Sequence, residues 1–225
     1  VLTQAVPLLE RFEIPATVFV VPGLDAGGFW WDRLRGLFEN PDELPDRLSM
    51  EMGADHLEWQ REQGVQALQR STHRCLRQLD ESTRGAQLAR LGEWAGTGCS
   101  SPVPVLDSAQ LRDLARHPLI EIGSHTMSHA DLSALDADGL DREIRGSRDR
   151  LEEGLGRKIE SFSYPHGGLR PEILERIKEA GYRRACSSEG GLVQSGSDAF
   201  RLPRLWPPDS SGAQFRAWLR GWTGH

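Results

Sequence analysis

The sequence predicts an α/β fold, and two observations carry that prediction. Amphipathic helical stretches alternate with short apolar runs, the pattern of strands that helices bury on both faces. Two of those runs stop at small-residue turns: Ala16-Thr17-Val18-Phe19-Val20-Val21 at Pro22-Gly23, and Leu119-Ile120-Glu121-Ile122 at Gly123-Ser124. Each reads as a strand whose C-terminal end opens onto a loop, where α/β proteins keep their chemistry.

Along the chain, Leu2, Val6 and Leu9 recur at helical spacing with Ala5, Leu8 and Phe12. That helix ends at Glu13-Ile14-Pro15, because proline disfavours helix in the residue before it. The first strand comes next. From Leu24 to Val105 the rhythm changes. Phe29-Trp30-Trp31-Asp32-Arg33-Leu34 opens an aromatic helix, and Pro41 and Pro45 punctuate the stretch after it. Leu48, Met50, Met52, Leu57 and Trp59 flank Gly53-Ala54-Asp55 as a hairpin. Val65, Leu68, Cys75, Leu76 and Leu79 mark one further helix, and Leu88, Leu91 and Trp94 another, before a Gly/Ser/Pro loop at 96–104. Residues 24–105 are expected to form an insertion, a cap, lid or subunit contact, within one domain spanning 1–225. Its tryptophans are expected as ordinary core, with sugar stacking the alternative.

After Val105 the α/β rhythm returns. Asp107 or Ser108 caps a helix that ends at His117-Pro118, and the second strand comes after it. The next helix carries Leu140, Ile144, Leu151 and Leu155 and is expected to stop at Gly154 and Gly156. Ile159 to Tyr164 reads as a strand broken by Pro165. Pro171 begins a helix that ends at Gly181. Tyr182–Ser187 and Leu202–Trp206 complete the strands, and a closing helix surrounds Phe215, Trp218 and Leu219.

Composition narrows the function. With 225 residues, 38% of them apolar, the chain can bury one sizeable core. A net charge of −6 argues against a nucleic-acid binder, which needs a basic face. Cys75, Cys99 and Cys186 are far apart and odd in number; they form neither a zinc knuckle nor a disulfide framework. No apolar run is long enough to span a bilayer. The chain opens at Val1 directly in a helix, so an upstream portion is expected.

Two motifs carry chemistry. Ile122-Gly-Ser-His-Thr-Met-Ser-His129 places two imidazoles four residues apart at a strand end. If the segment turns helically after Gly123, both rings share one face and reach one ion. Neutral imidazole suits zinc and similar divalent metals. A zinc peptidase is excluded, because H-E-x-x-H needs glutamate where Thr126 stands. The second motif is Ser161-Phe-Ser-Tyr-Pro-His-Gly-Gly168. A strand that ends in Pro-x-Gly turns sharply and presents backbone N–H groups suited to an oxyanion.

Together these segments resemble the polysaccharide deacetylases of carbohydrate esterase family 4, the NodB-homology domain. Pro7 to Val20 is similar to the helix and strand after that family's first motif. Ile122 to His129 is similar to its H-[ST]-x-x-H motif, and Phe162 to Gly167 to its third motif. Phe29 to Leu34 and Leu202-Pro-Arg-Leu205 resemble a bacterial subgroup with a similar insertion. The resemblance implies a distorted (β/α) barrel that here lacks its first strand, with an inserted helical and hairpin cap. It implies that His125 and His129 bind one divalent metal ion, zinc by preference. The backbone N–H of His166 would hold the oxyanion, and Tyr164, Pro165 and Arg204 would contact substrate. That substrate would be an N-acetylated polysaccharide or oligosaccharide of the N-acetylglucosamine type, met in the cell envelope or outside the cytoplasm.

The chain also departs from the family. The T-F-D-D-G motif, with the third metal ligand and the base, would lie immediately before Val1, and no Asp-Asp pair occurs anywhere. The family's late histidine is not evident near Arg204, and its arginine falls at about Ser161 or Ser163. The expectation is a truncated metal-dependent N-deacetylase. The alternative is a non-catalytic remnant that binds carbohydrate or a partner.

Overall fold

A computed structural model describes residues 1–24, 28–97, 103 and 105–223. Cys99 and most of the 96–104 loop therefore lie outside the described residues. The chain divides into two compact units: Val1–Gly23 with Ser108–His225, and Leu24–Asp107.

The first unit is built on the strands β1 (Ala16–Val20), β4 (Ile120–Ser124), β5 (Ser161–Ser163), β6 (Arg184–Gly190) and β7 (Leu202–Arg204). They form one sheet in the order β1-β4-β5-β6-β7, parallel throughout. The helices are α1 (Ala5–Phe12), α5 (Ser108–Arg116), α6 (Ala137–Asp141), α7 (Ser147–Leu155), α8 (Pro171–Glu179) and α9 (Gly212–Thr223). This is the mostly parallel α/β architecture expected. Strand boundaries differ from the sequence reading: β5 is shorter than 159–164, β6 starts at Arg184 and continues to Gly190, and β7 ends at Arg204 rather than Trp206. Gly154 lies inside α7, and only Gly156, at φ 65°, takes the left-handed cap. A helix passes through a glycine at modest cost but stops where the backbone turns left-handed.

The two faces of the sheet differ in kind. Ile120, Ile122 and Ser124 are buried on one, where the Ser124 hydroxyl meets that of Ser147 on α7 at 2.8 Å. On the other, Glu121 accepts hydrogen bonds from Thr17 of β1, Ser161 of β5 and Arg184 of β6. Side chains alternate between faces along a strand, so Thr17, Phe19, Glu121, His125, Ser161, Ser163 and Arg184 share this second face, on which Thr17 and Arg184 are exposed and Ser161 and Ser163 buried. The sheet curls around it. β1 and β7 stand at opposite ends of the strand order, yet the Arg204 guanidinium lies 6.0 Å from the Phe19 ring centroid.

Between α6 and α7 the helix widens into a π turn at Arg142–Gly146. The Ile144 carbonyl there accepts the hydroxyls of Ser147 (3.0 Å) and Tyr182 (3.1 Å). Such turns are frequent where a helix must present a side chain to a functional site.

The second unit holds α2 (Trp30–Gly36), the hairpin β2 (Arg47–Met52) with β3 (Asp55–Gln60), α3 (Val65–Arg77) and α4 (Glu81–Ala95). Every second hairpin residue, Leu48, Met50, Met52, Leu57 and Trp59, is buried against Leu34, Leu68, Leu88 and Leu91. Trp59 is core, as expected, and its indole N–H donates to the Gly64 carbonyl at 3.0 Å. The Asp80 carboxylate caps α4 by accepting from the Thr83 N–H.

Candidate active site at the strand ends

His125 comes directly after β4, and its backbone N–H donates to the Val20 carbonyl at the end of β1 at 2.8 Å. Its ring Nδ1–H donates to the Ser163 carbonyl at the end of β5 at 2.7 Å. That bond places the proton on Nδ1 and leaves the Nε2 lone pair for a metal or an acid, the orientation that metal-ligating histidines adopt. Burial pushes this imidazole below its ordinary pKa; the Ser163 carbonyl opposes the shift, and the charges of Arg204 and His166 add to it. The ring is therefore held neutral, the state in which it can ligate.

His129 reaches the same place by a route the sequence does not suggest. Residues 125–131 are not helical. Instead Thr126 (φ 65°) and His129 (φ 63°) adopt left-handed backbone, and the His129 N–H donates to the Thr126 hydroxyl at 3.0 Å. This loop, rather than a helical turn, brings the two rings edge to face with centroids 4.7 Å apart. The helical expectation fails because Glu143 captures the loop. One of its oxygens accepts from the N–H groups of Met127 and Ser128 (both 2.9 Å), and the other from the Ser128 hydroxyl (2.7 Å). A carboxylate that accepts three bonds holds a loop firmly. Glu143 sits on the π turn and was invisible to motif reading, eighteen residues beyond His125 by number alone. On the other side, the Gly23 N–H donates to the Met127 carbonyl at 2.9 Å, and a Cβ at Gly23 would stand 2.4 Å from that oxygen. Only glycine lets the β1 turn approach this closely.

The second loop carries His166 in a tight turn, Pro165–Gly167. His166 is exposed and also left-handed (φ 55°), and its ring centroid lies 4.9 Å from that of His129. Gly167 (φ 75°) tolerates no side chain, since a Cβ would lie 1.8 Å from the Ser188 hydroxyl. Of the four non-glycine residues with positive φ among the described residues, three are Thr126, His129 and His166. Backbone strain of about 1–3 kcal/mol per residue gathers at sites that function has shaped.

Tyr164 requires a correction. Its side chain is 1% exposed, packs on Phe162 at 5.3 Å between ring centroids, and donates its hydroxyl to the Phe200 carbonyl at 2.9 Å. Strand alternation points it to the apolar face, away from the face of Glu121 and Ser163, and burial pushes its phenol pKa up. Pro165 is likewise buried, as part of the turn. Arg204 lies at the C-terminal end of β7 with its Nε–H donated to the Ser187 carbonyl at 2.9 Å.

His125 and His129 have the donor chemistry of metal ligands. Among the described residues, no group of three or more His, Cys, Asp or Glu is arranged to hold an ion. The pair thus fits a divalent metal as part of its ligand set.

A curled parallel sheet with a histidine pair at its C-terminal edge defines an α/β protein with a strand-end site. The polysaccharide deacetylase profile matches residues 59–185, which include both site loops, and the chain belongs to that family. YxkH of Bacillus subtilis (strain 168), named as a polysaccharide deacetylase, is 27% identical over 115 residues. That similarity covers 51% of this chain and 41% of YxkH, so the chain spans less than half of its relative's length. A de-N-acetylase from Aggregatibacter actinomycetemcomitans shares the fold at TM-score 0.51 and 13% identity, over 96% of this chain and 69% of that one. A Bacillus cereus polysaccharide deacetylase is also similar, with 19% identity and TM-score 0.47 over 52% of this chain and 37% of its own. Among the described residues no helix is long and apolar enough to cross a membrane.

Proposed function

We propose that this chain carries the strand-end site of a hydrolase that removes N-acetyl groups from an N-acetylated polysaccharide. One observation supports the reading above all others: the Nδ1–H of His125 is committed to the Ser163 carbonyl, so Nε2 is presented beside the His129 ring. In this reading the two rings hold a divalent ion, zinc by preference. Such an ion supplies Lewis-acid polarisation of an acetamide carbonyl and lowers the pKa of water. The protein's own groups then position and stabilise. Glu143 fixes the His129 loop, the backbone of His166 faces the developing oxyanion, and Arg204 meets substrate from β7. Water adds to the carbonyl carbon, the C–N bond breaks, and acetate and a free amino sugar leave.

The test is elemental mass spectrometry of the purified chain beside His125→Ala/His129→Ala, with acetate release from an N-acetylglucosamine oligomer measured on the same samples. About one ion per chain, lost in the double variant together with acetate release, is the expected result. Metal-free protein that still binds the oligomer would replace this reading with a carbohydrate-binding role.

A further inference from the structure

Two arginines stand on the polar face of the sheet, Arg184 exposed and Arg204 half-buried, and they are treated differently. Arg184 on β6 is neutralised by Glu121, whose two oxygens lie 2.7 and 2.8 Å from its Nη2. Its neighbours in sequence and space do the same: Arg183 pairs with Glu160, and Arg201 with Glu189. Arg204 does not. Its Nε–H is spent on the Ser187 carbonyl, and its guanidinium lies 6.0 Å from the Phe19 ring and 5.1 Å from the Trp206 ring. Among the described residues it has no carboxylate partner. Aromatic faces attract a cation but use none of its Nη hydrogens. A half-buried guanidinium, anchored through Nε and left with its outer fork unused, is matched to a planar anion.

The second observation is Trp206 itself. It is 62% exposed, the highest value among the large hydrophobic side chains of the described residues, although the Arg204 guanidinium lies over its ring. An indole open to solvent two residues beyond a strand end is a surface on which a pyranose ring can stack. Its place is defined too, because Arg204 reaches across to Phe19 of β1, four residues before Gly23, which meets the His129 loop.

We propose that Arg204 and Trp206 form a subsite for an acidic sugar, with the pyranose on the indole and its carboxylate on the guanidinium fork. The inference rests on the deacetylase reading and narrows its substrate to an N-acetylated glycan that contains carboxylate-bearing units. Free carboxylate, such as the acetate product, shares the anionic half of this chemistry but has no ring for Trp206.

The experiment titrates the full chain with methyl glucuronide, methyl glucoside and sodium acetate, following the tryptophan indole N–H signals by NMR. Methyl glucuronide should bind about tenfold more tightly than methyl glucoside. Arg204→Gln should abolish that preference, and Arg204→Lys, which keeps the charge without the fork, should restore part of it. Trp206→Ala should weaken both glycosides and leave acetate unchanged. Equal affinity for the two glycosides, or no saturable binding of either, overturns the proposal. So does acetate binding as tightly as glucuronide with no effect of Trp206→Ala, which would leave a simple anion site. Acetate release from a neutral N-acetylglucosamine oligomer is scored separately. Release without a glucuronide preference retires the acidic subsite alone; the preference without release retires the deacetylase reading.

Discussion

The two units of this chain use the faces of their sheets in different ways. Residues Leu24–Asp107 pack theirs with Leu34, Leu48, Met52, Leu68, Leu88 and Leu91, and the two indole N–H groups of Trp59 and Trp94 each find a backbone carbonyl. The sheet unit packs helices on one face in the same manner, yet lines its other face with Thr17, Glu121, Ser161 and Arg184. An apolar core supplies stability directly. A partly exposed ion pair such as Arg184–Glu121 contributes little. A sheet that gives most of one face to polar groups gains little packing energy there and keeps that face open to a ligand. Glu121 belongs to that face: burial would raise its carboxyl pKa, but Ser161, Arg184 and Thr17 together hold it below the usual range.

The largest effect that tests this contrast belongs to the apolar unit. Leu91 is fully buried, and Leu91→Ala should cost about 2–5 kcal/mol in chemical denaturation, through lost transfer energy and the cavity left behind. The histidine site should not notice. Metal content and the imidazole NMR signals of His125 and His129 are expected to match those of the parent chain. A variant that loses both stability and the histidine signals would show that the two interiors are not independent.

A smaller effect belongs to Glu143. Replacing it with Gln removes the charge from three hydrogen bonds and offers an amide N–H where only acceptors are wanted. The expected cost is about 1–3 kcal/mol of stability. Metal affinity should fall by about 10–100-fold, as when an outer partner of a ligand loop is lost. A merely structural role would move the first number and not the second.

The same contrast decides how much of the molecule was legible in the sequence. Where side chains obey a period, as in the hairpin with Leu48, Met50 and Met52 inward, the residues announce their own structure. The parallel sheet and the placing of His125 at a strand end were readable for that reason. The loop from His125 to His129 was not, because its shape is set by Glu143 arriving from a helix, and by two left-handed residues that carry no glycine to mark them. Tyr164 misled for a related reason. It stands in a motif, but strand alternation at Ser163 and Tyr164 decides which face each side chain takes. Arg204 was visible as a residue, and its lack of a counter-charge became visible only when Glu121 was seen to belong to Arg184.

The smallest effect is the sharpest instrument, because it can be made identically in both units. Gly85 lies within α4 of the apolar unit and Gly154 within α7 of the sheet unit, and a Cβ at either would meet no atom within 4 Å. Neither has the positive φ that would require glycine. Alanine at each should therefore stabilise by about 0.5–1 kcal/mol, by restricting the unfolded chain and improving helix propensity. If the units unfold together, both variants raise a single calorimetric transition by the same amount. If the apolar unit stands alone, Gly85→Ala moves one transition and Gly154→Ala another. The second outcome would assign a separate stability to the sheet with the polar face. Glycans that stabilise only that transition would then report binding at the strand ends without any assay of turnover.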